Sequence, residues 1–303
     1  MTRPFAKLLI SFAILGLALL VVALMFSLKS PEPSSAAFPN PNGYDTFIKA
    51  ASMVTGDSSK SDDMNEQDLR ALVKRNAESL ALMRSGFSND CRVRLDYTGT
   101  NAEYIQQLGS IKGLARATAA EGKLAELENR PADAAKSYSD VIRLACESSR
   151  GGRIIESLVS IALESLGTSR LGKLVPALEP DKCRELALAL ETSDNLRDPP
   201  EALLLQEREW ARRAYGLKGQ ISSILNWRTL KQSQQKLLAK LQAQQLQTRM
   251  LMVDLAARAY ESDKGQRPKS VNDLVPGYLK SIPLDPVTGT NLMYRPALVY
   301  LPR

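Results

Sequence analysis

From Leu8 to Leu28 the chain runs 21 residues without a charge. At about 1.5 Å per residue, a helix of that length reaches about 30 Å, the thickness of a bilayer's hydrocarbon core. Signal peptides carry shorter apolar regions, typically about 7–15 residues. The run therefore reads as a transmembrane signal-anchor. A cleaved signal, with Ala37 of "PSSAAF" before the cut, is the alternative, and no lipobox-type cysteine follows the run. Arg3 and Lys7 place residues 1–7 on the cytoplasmic side. The expectation is a single-pass protein of the inner (cytoplasmic) membrane, with the bulk of the chain in the periplasm or outside. Residues 29–43, "KSPEPSSAAFPNPNG", are too rich in Pro, Ser and Asn to bury a core and read as a linker.

Histidine is absent from the 303 residues. Ser-His-Asp and Cys-His triads, histidine general bases and the usual zinc-protease motifs are thereby excluded. The acidic pairs Asp62/Asp63 and Glu207/Glu209 are the available carboxylates, but residues one or two apart do not share a helix face. No catalytic residue is assigned, and the chain is read as a non-enzyme. Cys91, Cys146 and Cys183 form no CxxC pair and read as small buried hydrophobes. The net charge of +7 comes from scattered Lys and Arg. The group Arg208, Arg212, Arg213 and Lys218 reads as a solvated helix face, so nucleic acid is not an expected partner.

Apolar spacings of three and four dominate residues 44–231, which predicts a helical domain. Gly86 marks a stop, Pro131 a first turn, and the two prolines after Asp198 an entry. Residues 87–100 break the pattern and hold either a short strand or an ordered loop. Gly122, Ala134, Tyr138 and Val141 show a small, small, aromatic, small-apolar spacing. This stretch, about residues 115–148, resembles a tetratricopeptide hairpin, in which small residues let two helices approach. With one copy only, the resemblance implies an irregular bundle that contains a repeat-like pair.

Residues 232–303 begin with a glutamine-rich segment in which Leu237, Leu238, Leu241 and Met252 continue an apolar side. It reads as a long amphipathic helix packed on the bundle, or as one that pairs with a partner chain. Ser270 and Asp273 have capping-box spacing. Leu255, Tyr260, Leu274, Leu279 and Tyr294 should close a small apolar core. The order Tyr260, Asp263, Gly265, Pro268, Leu274, Val275, Pro276, Pro283, Asp285, Pro286, Gly289, Tyr294 resembles the C-terminal part of type II secretion pseudopilins. Arg267 departs from the usual Tyr, and the absence of a Glu in Leu8–Leu28 argues against polymerisation. The same tail resembles that of uncharacterised membrane-anchored helical proteins of Planctomycetes-type bacteria. The resemblance implies a small α+β module, and a calcium site at Asp285 as some pseudopilins have. Calcium takes six to eight oxygens, and here Asp285 has only Thr288, Thr290 and Asn291 beside it. An Asp before Pro also caps a turn through its own side chain. Turn-capping is the expectation and calcium the alternative; no other cofactor is implied.

The fold expectation is thus mostly α: one transmembrane helix, an irregular bundle with a repeat-like hairpin, and a small α+β pseudopilin-like module. The functional expectation is an outward-facing scaffold that binds a protein partner. A component of a type II secretion or pilus-like assembly is the alternative, and a histidine-free enzyme the second alternative.

Overall fold

The computed structural model describes Gly16 and residues 38–95, 97, 101–225 and 227–293. The chain divides into two compact units, Met1–Phe38 and Pro39–Arg303, and the described packing belongs to the second. Apart from Gly16, the run Leu8–Leu28 lies outside the described residues, as does Tyr294. Among the described residues, no helix is long and apolar enough to cross a membrane.

The described chain is mostly helical. Its α-helices are α1 (Gly43–Ser52), α2 (Glu66–Gly86), α3 (Asn101–Leu127), α4 (Pro131–Glu147), α5 (Ile154–Leu174), α6 (Pro180–Asn195), α7 (Pro200–Leu225) and α8 (Trp227–Lys264). Gly86 and the prolines stand where the sequence puts them: Gly86 ends α2, Pro131 starts α4, Pro200 starts α7. Asp198 does not serve α7; its carboxylate accepts from Gly151 N at 2.6 Å, across the turn before α5.

Consecutive helices pack in sequence, α1 on α2 through to α4 on α5, and α8 lies along α5 and α6. The centre is α4, whose Ala134, Tyr138, Val141 and Ile142 are fully buried. Its two neighbours approach it through glycines. A Cβ at Gly122 would lie 2.6 Å from Cε1 of Tyr138, and one at Gly167 would lie 2.6 Å from Cγ1 of Ile142. Neither buried side chain has room to yield, so only glycine permits these interaxial distances.

Of the two alternatives for residues 87–100, the described residues take the ordered loop. Residues 91–95 run as irregular chain, with one ladder-like bond from Val93 N to Arg150 O at 2.8 Å. The strand neighbour is replaced by a side chain: Asn42 donates to Arg92 O at 2.8 Å and accepts from Arg92 N at 3.0 Å. At the C-terminal end the α+β expectation reduces to one antiparallel bridge, Leu284 with Asn291. Pro283 and Pro286 have no N–H to donate to a ladder. The three cysteines are buried and free. Burial pushes the Cys183 thiol up to about 11.

The chain after α8 is held by two acids, Asp273 on the surface and Glu191 in the interior. Asp273 accepts from Lys269 N at 2.7 Å and Ser270 N at 3.1 Å, closing the cap of the short 3-10 turn Val271–Leu274. Glu191 of α6, 3% exposed, accepts from Lys280 N and Ser281 N, both at 2.8 Å. Leu255, Leu274 and Leu279 are fully buried beneath this segment, and the Tyr260 and Tyr278 rings meet at 5.4 Å.

Candidate functional site

The loop that follows is closed on itself. Asp285 N donates to Thr290 O and Gly289 N to Asp285 O, both at 2.8 Å. Asp285 Oδ1 accepts from Val287 N at 2.7 Å and Thr288 N at 3.0 Å. These backbone donors, Thr288 first, hold its carboxyl below the usual carboxylate range, so Asp285 is ionised near neutral pH. This is the turn-capping arrangement expected from Asp before Pro.

Two side chains of α8 hold this loop in place. Gln242 Nε2 donates to Pro286 O at 3.0 Å, and Arg249 Nη1 donates to Leu284 O. Arg249 is itself fixed, since its Nε reaches Asp194 of α6 at 2.7 Å. Asp194 also receives Arg197 at 2.8 Å and Gln245 at 3.2 Å. Arg197 continues to Glu164 of α5, which Thr248 of α8 also reaches. Glu164 and Asp194 are almost fully buried, and each has a cation and a neutral donor, as buried charges require.

Between the loop and α8 lies a cavity of about 400 Å³. One wall is a single face of α8, with Leu246, Met250, Val253 and Asp254 at helical spacing. The other is the loop, with Asp285, Thr288, Thr290 and Asn291 at its mouth and Leu292 deeper. Among the described residues, its lining contains two acids and no base.

Asp254 differs from the other acids in this region. It has neither ion pair nor hydrogen bond among the described residues, and burial alone pushes its carboxyl up to about 6. Glu191, Asp194 and Asp263 all have partners at hand. Asp254 was not singled out in the sequence because "LMVDLAARAY" reads as an apolar run. The available signal was a lone acid inside that run, on a helix buried on nearly every side.

The remaining sequence candidates have other roles. Asp62 meets Arg170 at 2.5 Å on the surface. Glu207 accepts from Ile154 N at 3.0 Å, capping α5, while Glu209 receives Arg212 and Arg213. That accounts for two members of the basic group on α7. A second polar cluster joins α7 to the start of α5. The Arg153 guanidinium lies 3.8 Å from the Trp210 ring centroid and 4.6 Å from that of Tyr104. Glu156 beside it accepts from Arg153 N and Tyr104 OH, and burial pushes its carboxyl up to about 7. These groups bond to one another and dock α7. Among the described residues, no group of three or more Cys, Asp or Glu could hold a metal. Asp285 and Asp254 are the two acids that line the cavity.

No protein-family model, curated protein or solved structure matches this chain.

Proposed function

We propose that the protein is a single-pass, membrane-anchored, outward-facing helical binding protein, a scaffold that presents a recognition groove at the cell envelope. The anchor is Leu8–Leu28 and the orientation follows from Arg3 and Lys7. The observation that carries the binding role is the cavity between α8 and the 285–291 loop, with an acid on each wall. Convergent polar groups in an apolar concavity are the ordinary build of a binding site. The side chains behind it support this reading, because Arg249, tied to buried Asp194, and neutral Gln242 fix the loop's position at two carbonyls.

Topology and binding are tested separately. The protein should stay with membranes washed free of peripheral proteins at moderate salt, and added protease should digest it in spheroplasts. Full release into the soluble fraction would remove the anchor. A photo-reactive residue at Thr288 should give a discrete adduct in native membranes, and the same residue at exposed Lys74 of α2 should not. Equal labelling at both positions, or none, would remove the scaffold role.

A second reading rests on the tail. The order from Tyr260 through Pro268, Pro283, Asp285, Pro286 and Gly289 supports a pseudopilin-like module and a place in a type II secretion or pilus-like assembly. The closed loop on a long helix favours it. Crosslinking in native membranes should then recover assembly proteins, and their absence would leave the first reading alone.

A further inference from the structure

We propose that the cavity between α8 and the 285–291 loop binds an organic ammonium ion carrying an aliphatic stem. This deepens the reading of the protein as a binding protein, and rests on it. Three observations point to that chemistry. Two carboxylates line the cavity, and among the described residues no Lys or Arg does. Arg249, whose charge is felt at Asp285, bonds to Asp194 and Leu284 O and is not part of the lining. Leu246, Met250 and Val253 lay an apolar stripe about 10 Å long beside the acids, the length of a short alkyl chain.

Asp254 is the decisive residue. A carboxylate left without a partner in a half-buried position is costly to the fold. The other acids packed nearby in the tail are satisfied internally, so this one is reserved for something that arrives from outside. An ammonium group at Asp254 supplies the missing donors, its stem lies along Leu246 and Met250, and Thr288, Thr290 and Asn291 offer oxygens at the mouth. A bare divalent cation suits the site poorly, because half its lining is apolar and only two acids are present.

The ammonium group has two sources, a free diamine or a lysine side chain of a polypeptide, and the test separates them. Full-length protein in non-ionic detergent is titrated calorimetrically with 1,5-diaminopentane, with an N-acetylated, C-amidated Gly-Lys-Gly peptide, with 1,5-pentanediol and with calcium chloride. At least one amine should bind, with the stronger of the two identifying the source, and the diol should not. Asp254→Asn should weaken the amine tenfold or more. Asp285→Asn should weaken it less, since asparagine Oδ1 still accepts from Val287 N and Thr288 N and keeps the turn. Near pH 6 amine binding should release protons, seen as a heat that depends on buffer ionisation, and Asp254→Asn should abolish that release. Binding of diol and amine alike, binding of calcium alone, or an unchanged affinity in Asp254→Asn would overturn the proposal. A protein that stays anchored and crosslinks through Thr288 but binds no amine loses this ligand class while keeping its role as a scaffold.

Discussion

At the residue scale, burial makes the charged form of Asp254 a cost to the folded state. Its folded value of about 6 stands above the 3.8 of a free carboxyl. A raised carboxyl takes up protons on folding, so it costs nothing below about pH 4, where both states are protonated. The cost grows between about pH 4 and 6 and is complete above that. At about 1.4 kcal/mol for each pH unit between the two values, it reaches up to about 3 kcal/mol. Asp254→Asn should therefore raise the melting temperature at pH 7, and the gain should vanish near pH 4; thermal melts at the two pH values check this. A gain that is the same at both would mean the charge is not the cause. Asp285 behaves in the opposite sense, because backbone donors favour its charged form. Asp285→Ala should lower the melting temperature at neutral pH, and Asp285→Asn should restore most of it.

The helix contacts around α4 make the sharpest predictions at the scale of elements. Gly122→Ala puts a methyl 2.6 Å from the Tyr138 ring, with no free volume to receive either. Overpacking of this kind costs about 1–3 kcal/mol. Pairing it with Tyr138→Leu, which vacates the ring position, should recover part of that loss in a double-mutant cycle of denaturant melts. Two independent, additive losses would show that the two residues do not meet. The clamp on the loop has its own signature. Arg249→Met leaves buried Asp194 with Arg197 but without its second cation, a loss of about 2 kcal/mol. Amide hydrogens from Leu284 to Leu292 should exchange faster in that variant, while those of α4 keep their rates. Much of this level was legible in the sequence. Gly122, Tyr138, Pro131 and Gly86 act where they stand, because backbone limits and close approach are local properties. Spacing leaves residues 87–100 open between strand and loop, because Asn42, about 50 residues away, supplies the partner of Arg92. Spacing does not reveal a side chain acting as a strand. Nor does it reveal that Glu191 anchors Lys280 and Ser281, since that pairing exists only once α6 has packed.

At the largest scale, the second unit is a stack of helices locked by glycine contacts and by buried charges that bridge α5, α6 and α8. The parts of the groove were only half visible in advance. Asp285, Thr288, Thr290 and Asn291 were named from the loop, whereas the facing wall of α8, and Asp254 with it, needed the fold to bring residue 254 beside residue 291. The most direct test of the groove is the titration of Asp254 itself. Full-length protein labelled with ¹³C at aspartate carboxyls, with Asp254→Asn to assign the resonance, gives the midpoint by NMR. Burial of Asp254 predicts a midpoint near 6 that falls on saturation with the tighter-binding amine. A midpoint near the ordinary 3.8, unmoved by any amine, would contradict it.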